Sequence, residues 1–455
     1  MTIDRRNFLK LSAAGAAVST LAPLLNCPFL RRPLDAAMLG SPEKKMILVF
    51  LRGGVDSANM VIPHGDGSYD DVARPTLFIP EADAIDLGNS FASAHPALSN
   101  LIDNVPTGDV AYLHRVAYAN QSRSHFSSQQ YWENATPGDP FSEIGWVNRM
   151  IDNSDFGDLA LPAASISNRL QVLFRGPLPL AHIQDLERYK FGDDDVEAKF
   201  LGAAPTVTSD GAGMLGVFGA ADADGPYDGR LRALGRTLAT SLEEVAPLDS
   251  AGYVPEGGAT YPSAAAPGEF VGDQQAYQFF QQLKEAVILL KETDCRVVGI
   301  ELDGFDTHAN QIGILDRLLR IVSHGIASVY ADTSVGTGTT LWDDLVMCTL
   351  SEFGRTSAEN GSFGTDHGEA GCMIVAGGGV VGGVYNCDAT TWEEGDLFSA
   401  PSGVPRYVAH RTDYRAVLAE IIDRHFGQST ILADAIPDWD LLTGDAFDYL
   451  EFLEL

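Results

Sequence analysis

Ser351-Glu352-Phe353-Gly354-Arg355, with Gly364-Thr365-Asp366-His367-Gly368 a short loop later, is the stretch that decides the fold. Leu345-Val346-Met347-Cys348-Thr349-Leu350 precedes it and Cys372-Met373-Ile374-Val375-Ala376 follows, two apolar runs with the length and composition of buried strands. A carboxylate, an arginine and an Asp-His pair are thus carried between two strands expected to run parallel. In open α/β sheets ligands bind at the carboxyl ends of the strands. Carboxylates and imidazoles gathered there point to a divalent cation. Taken alone, the same residues also read as a polar loop with a capping Asp and a surface His.

Upstream, Met46-Ile47-Leu48-Val49-Phe50-Leu51 reads as the first buried strand and runs into Arg52-Gly53-Gly54-Val55-Asp56-Ser57-Ala58-Asn59. Two glycines at a strand end permit a sharp turn or a close backbone approach. Asp56 falls where a metal ligand would stand, or caps the next helix; Asn59, at the same edge, is a candidate substrate contact. Val110-Ala111-Tyr112-Leu113 is the next strand and leads to Arg123-Ser124-His125-Phe126, a helix start with Ser124 as N-cap. A hydroxyl at such a terminus lies in a field that favours anions and beside a cation becomes a candidate nucleophile.

Ala163 to Ile166 and Gln171 to Phe174 read as a strand pair. Residues near 190–270, rich in Gly, Ala, Asp and Pro, read as an insertion with one helical patch from Arg230 to Val245. Gln274 to Glu292 is an amphipathic helix. Arg296 to Leu302 is a further strand, delivering Asp303-Gly304-Phe305-Asp306-Thr307-His308. Asp306 and His308, two residues apart just beyond a strand, suit two ligands of one ion. A helix from Leu315 to Ala331 follows, and Thr412-Asp413-Tyr414-Arg415 opens another, Ala416 to Phe426.

The chain has 455 residues and a formal charge of −32, which argues against nucleic acid and anionic lipid as partners, since both are bound through positive charge. Its first forty residues are the exception and are net positive. Asp4-Arg5-Arg6-Asn7-Phe8-Leu9-Lys10 is a twin-arginine signature, followed by a mild apolar stretch too short for an integral span of the mature chain. It reads as a signal segment, 1–40, addressed to the twin-arginine translocase and hence to the periplasm or cell surface. The five cysteines show no CxxC and no metal-ligand spacing; Cys348 and Cys372 lie inside strand-like runs and read as buried thiols.

Taken together and in order, the twin-arginine start, Gly53 to Asn59, Arg123 to Phe126, Phe305 to Gln311, Ser351 to Thr356 and Asp413-Tyr414-Arg415 resemble the bacterial domain-of-unknown-function 1501 family. That resemblance implies a fold of the alkaline phosphatase and sulfatase superfamily: a doubly wound α/β sandwich around a mixed, mostly parallel sheet, here over 41–455, with a two-metal hydrolytic site. On the superfamily's order of ligands, Asp56, Asp306, His308, Glu352 and His367 would be the metal set, with Asp303 an alternative to Asp306 and Asp366 either a further ligand or the acceptor that orients the His367 imidazole. Ser124 would stand in the nucleophile's place. Glu352 replaces an Asp and Phe353 a metal-binding His, so one ion or two with fewer nitrogens is expected.

These expectations describe an exported hydrolase of phosphate or sulfate esters with a divalent metal: zinc, manganese, magnesium or calcium. Ser124 or a water would attack a small anionic ester, Arg123 or Arg355 would clamp its oxygens, and His125 would protonate the leaving group. A formylglycine sulfatase is disfavoured, because no Cys or Ser stands in a C/S-x-P-x-R context. The alternative is a non-catalytic, metal-stabilised envelope or binding protein on the same fold. The export reading is directly testable. Replacing Arg5 and Arg6 with Lys should leave the protein in the cytoplasm on cell fractionation, and unchanged export would refute the signal.

Overall fold

Six consecutive apolar residues leave a strand no face for water, so the run Met46 to Leu51 can only sit between two covering layers. In the computed structural model, which describes residues 43–189 and 228–454, it is strand β1 (Lys45–Leu51), buried throughout. The signal segment and residues 190–227 of the expected insertion lie outside the described residues, as does Cys27. The other four cysteines are free and buried.

A small sheet pairs β2 (Val61–Ile62), β3 (Ile85–Asp86) and β4 (Ser93–Ala94). The large sheet contains β1, β5 (Val110–Ala117), β6 (Ala163–Ile166), β7 (Ala181–Ile183), β8 (Val297–Leu302), β9 (Leu345–Leu350), β10 (Gly371–Gly377), β11 (Gly383–Tyr385) and β12 (Thr412–Asp413). Its order is β11-β5-β10-β9-β1-β8-β6-β7, with β12 also on β5. The run Cys372 to Ala376, expected to lie parallel to Leu345 to Leu350, instead forms β10 antiparallel to β9 and β5, because the short return through residues 354–369 reverses the chain; every other pairing in this sheet is parallel. The fold is therefore α/β with a large, mixed, mostly parallel sheet. The carboxyl ends of β1, β5, β8 and β9 open on one edge, together with the amino end of β10.

Side-chain alternation sends Ile47, Val49 and Leu51 into one core and Met46, Leu48 and Phe50 into the other. The first is covered by α6 (Gln274–Glu292), through Phe279, Phe280 and Leu283, and by α7 (Gln311–Thr333), through Leu315, Leu318 and Leu319. The bounds of α6 are those expected, with Asp273 Oδ1 capping Ala276 N–H at 3.0 Å. The second core takes Trp132 of α3 (His125–Asn134), Trp146 and Met150 of α4 (Trp146–Asp152), and Val417 and Leu418 of α8 (Tyr414–Glu420). Two further helices are short, α1 (Ser57–Met60) and α2 (Ser99–Asn104), and a longer one, α5, spans Asp228–Val245.

One expected strand is not a strand. Val172–Phe174 forms a 3-10 turn, and the partner of β6 on that side is β7. Gln171 donates to the carbonyl of Ile300 at 3.1 Å, and the Phe174 ring lies over Gly299. That segment therefore crosses the face of β8 and cannot extend its edge.

The turn after β1 shows why glycine is needed there. Gly53 and Gly54 have φ of 121° and 78°, which L side chains rarely adopt. A Cβ on Gly53 would come within 2.3 Å of the Asp306 nitrogen, and one on Gly54 within 2.5 Å of the Phe353 ring. The loops after β1, β8 and β9 are thus packed backbone to backbone at the sheet edge.

Candidate metal centre

Beyond β9 the chain stays extended, and residues 354–356 run antiparallel to 366–369. Gly354 N–H donates to Glu369 O at 2.9 Å, Gly368 N–H to Gly354 O at 2.8 Å and Thr356 N–H to Asp366 O at 2.9 Å. This pairing returns Asp366 and His367 to the sheet edge from which Ser351 to Arg355 left. Arg355, 1% exposed, locks the edge. Its guanidinium donates to the carbonyls of Gly54 (2.8 Å), Thr365 (3.1 Å), Phe305 (3.0 Å) and Gly53, and to Asp306 Oδ1 at 2.6 Å.

Three imidazoles converge on the carboxylate that Arg355 holds. His308 Nε2 and His367 Nε2 each lie 3.1 Å from Asp306 Oδ1, and His125 Nε2 lies 3.4 Å from Oδ2. The nearest ligand atoms of His125, Asp306 and His367 are all within 4.8 Å of one another. The opposite nitrogen of each ring is anchored. His367 Nδ1 donates to the Arg123 carbonyl at 2.7 Å, His308 Nδ1 faces Asp366 Oδ1 at 3.2 Å, and His125 Nδ1 faces Glu352 Oε1 at 2.7 Å. Acceptors at Nδ1 fix the proton there, so the Nε2 lone pairs face the common centre. Those of His308 and His367 stand 2.9 Å apart, which asks for a proton or a metal cation between them. Histidine ligands oriented through the far nitrogen by a carboxylate or carbonyl are the usual arrangement of a metal centre.

Charge follows the geometry. Burial works against ionised Asp306, but the hydrogen bond and charge of Arg355, helped by the histidines, outweigh it and bring the carboxyl down to about 2. The hydrogen bond that His125 donates to Glu352 raises His125 above its ordinary 6.5, against burial. Burial lowers His367. Glu352 is itself held below the usual carboxylate range: burial opposes this, and hydrogen bonds from His125 and Gln129 prevail. Phe353, fully buried, packs its ring against His125 and His367 at centroid distances of 4.9 and 4.7 Å.

The expected residues fall in different surroundings. Glu352, expected as a direct ligand, is fully buried beneath the cluster, where Oε1 accepts from Gly53 N–H, Gln129 and His125 and Oε2 has no hydrogen-bond partner among the described residues. Asp366, expected as a further ligand or as the acceptor orienting His367, faces Nδ1 of His308 instead. Asp56 is engaged elsewhere: Arg74, fully buried, binds both its oxygens at 2.7 and 3.1 Å, and Gln311 adds a third bond at 2.5 Å. Asn59 is buried too, bonded to Leu77 O, Tyr69 and Arg74, and reaches no open surface. Arg355 has its donors committed to loop carbonyls and Asp306, so it is not the clamp. His125, expected as a general acid, stands in the cluster. Asp303 is exposed and outside it.

Asp306, His308 and His367 are brought together. Ser124 is exposed immediately before His125, its hydroxyl making no cap bond, and Arg123 lies half-exposed at the rim. Sequence reasoning missed Arg74, Gln311 and Gln129. Gln129 alone carried a signal, four residues after His125 and hence on the same helix face. A shallow cleft lined by Phe270, Asp273, Asp316, Arg317 and Arg320 shares no residue with the cluster.

Residues 268–394 match the family model described as "Protein of unknown function (DUF1501)". That span includes Asp306, His308, Glu352, Asp366 and His367 and leaves out His125. Residues 2–22 match the twin-arginine translocation pathway signal sequence, which addresses the chain for export from the cytoplasm. A search of the curated proteins found no match. Among the described residues, no helix is long and apolar enough to cross a membrane.

The geometry separates groups that face the common centre from groups that orient them. Asp306→Ala and His367→Ala should each abolish stoichiometric zinc binding in elemental analysis. Glu352→Gln should weaken zinc by about 10- to 100-fold, the usual cost of removing an orienting partner. Asp56→Ala should destabilise the fold by about 3–5 kcal/mol, stranding buried Arg74, and leave the metal equivalent in place. Zinc lost in Asp56→Ala and kept in His367→Ala would reverse the assignment.

Proposed function

We propose that this exported chain holds one divalent transition metal on His125, Asp306, His308 and His367 and hydrolyses phosphate or sulfate esters beside it, in the periplasm or at the cell surface. The observation that carries the reading is the polarity of the three rings: every Nδ1 is anchored and every Nε2 faces Asp306. Three imidazole nitrogens and one carboxylate suit zinc or a neighbouring transition metal. Magnesium and calcium prefer all-oxygen sets. The residues present do not fit a second ion, because Asp56 is neutralised by Arg74, Glu352 orients His125, and Phe353 offers no donor.

When bound, the metal would supply a Lewis acid that polarises an ester oxygen and acidifies a coordinated hydroxyl or water. The chain supplies the rest. Arg355 keeps Asp306 ionised and fixed. Asp366, the Arg123 carbonyl and Glu352 hold the imidazoles in the tautomer that leaves Nε2 free. Ser124 presents an unengaged hydroxyl at the N-terminus of α3, where the helix field favours a developing alkoxide. The sheet order and the edge on which these residues gather support an alkaline-phosphatase-like fold as part of this proposal.

A second reading is a metal-stabilised envelope or binding protein without turnover. It is favoured by the apolar ring of Phe353 where the superfamily has a histidine, and by the closed Asp56–Arg74 pair. Turnover of p-nitrophenyl phosphate and sulfate by zinc-loaded protein decides between them. Hydrolysis that falls on the order of 100-fold or more in Ser124→Ala supports the enzyme. Bound zinc with no turnover supports the second reading, and no bound metal sinks both.

The pH dependence has a fixed sign. His125 is raised by Glu352, so in metal-free protein the stabilisation from this pair is complete below 6.5 and is lost as pH rises through the raised value. Zinc needs a neutral ring and should bind more tightly over that same rise. Urea midpoints and zinc titrations across this range should therefore move in opposite directions. Glu352→Gln should flatten the first.

A further inference from the structure

Two arginines share one aromatic ring at the rim of the cluster. Arg123 Cζ lies 4.9 Å and Arg406 Cζ 5.4 Å from the centroid of Tyr407, whose side chain is 6% exposed. The arginine side chains themselves are 40% and 49% exposed. Each makes one long ion pair among the described residues, Arg123 to Glu369 Oε1 at 3.4 Å and Arg406 to Asp366 Oδ2 at 3.3 Å. A well-formed guanidinium–carboxylate pair is shorter and bidentate, so most N–H donors of both arginines remain open to a ligand.

Both are tied to the imidazoles by a single link. The Arg123 carbonyl holds His367, and Asp366, which Arg406 contacts, faces His308. The surrounding protein makes their charge informative. With a formal −32, the chain repels anions at long range, so two preorganised guanidinium groups beside the cluster mark the place where an anion is admitted. Arg355 cannot serve, since its donors are committed to backbone and Asp306.

We propose that Arg123 and Arg406, stacked on Tyr407, form the clamp for the tetrahedral oxyanion of the ester, a phosphoryl or sulfuryl group. The proposal rests on the ester-hydrolase reading above and adds Arg406 and Tyr407 to it as specificity residues. The guanidinium forks bind the non-bridging oxygens of the anion, and the ring limits the arrangements open to both side chains. Glu369 and Asp366 limit the affinity, because an incoming anion must displace these two weak pairs.

The test is calorimetric titration with inorganic phosphate and with sulfate, run on zinc-loaded and on metal-free exported protein. Zinc equivalents are measured in every variant. Arg123→Ala removes the guanidinium but keeps the carbonyl that holds His367, so it isolates the clamp. Arg123→Ala and Arg406→Ala should each weaken anion binding by about tenfold or more at unchanged zinc content. Arg406→Lys should recover only part, lacking the fork. Tyr407→Leu should weaken binding, whereas Tyr407→Phe should not. Anion affinities within twofold of wild type in the double variant would overturn the proposal, as would a wild type that binds neither anion. Loss of the zinc equivalent in Arg406→Ala would also overturn it, because Arg406 would then only steady Asp366. Arginine-dependent anion binding without ester turnover would leave the clamp standing and remove the hydrolase reading.

Discussion

The candidate centre depends on one buried guanidinium. Arg355 is almost fully shielded from water, and a charge so placed is costly unless its donors are met. They are met by carbonyls from the turn after β1, the loop after β8 and the segment before β10, and by a single carboxylate, Asp306. The arginine therefore does two things at once. It replaces the water that three loop backbones would otherwise need, and it makes the ionised form of Asp306 the stable one. Removing it would release the loops and the charge together, so effects at this position should not be apportioned to a single bond.

Around Asp306 the polar groups are arranged in depth. Glu352 is buried and faces the inner nitrogen of His125, while Gln129 links Glu352 to Arg52, which in turn pairs with Glu133 and Glu301 at 2.9 and 2.7 Å. The inner nitrogens of the rings are thus satisfied by protein, and the outer ones are left to face Asp306, that of His125 buried and without a hydrogen-bond partner. Phe353 completes the floor. Its ring excludes water from beneath His125 and His367 and contributes a stacking term of about 0.5–1.5 kcal/mol. A polar side chain in its place would compete for the same ring nitrogens, so Phe353 keeps this side of both rings dry and fixed.

Much of the scaffold was legible because its signals are local. The apolar runs that became β1, β8, β9 and β10 are short, continuous and bounded by glycine or charge, and the 3.6-residue period of α6 gave both its ends. Asp306, His308 and His367 were legible by position at the strand ends. The direction in which a side chain points just beyond a strand was not. Glu352 faces inward because Gly53 N–H and His125, from loops far away in sequence, meet it there. Asp56 is closed by Arg74, 18 residues on in an irregular segment that no periodicity constrains. Gln171 to Phe174 failed as a strand because tertiary contact with Gly299 and Ile300 overrode a run with strand-like composition.

The same distinction separates the centre from its rim. Groups that set protonation and ring orientation, such as Arg355, Glu352 and Phe353, are buried and hold several elements each, so they cannot adjust to a ligand without moving the sheet edge. Arg123 and Arg406 are half-exposed, positioned by one shared ring, and each commits only one weak ion pair, so most of their donors are open. Full pairing is therefore concentrated where a metal would demand fixed geometry, and open donors where a tetrahedral oxyanion would enter. That division follows from burial alone: carboxylates and guanidinium groups in the interior must be fully paired, whereas those at the surface keep water as an alternative partner that a ligand can replace.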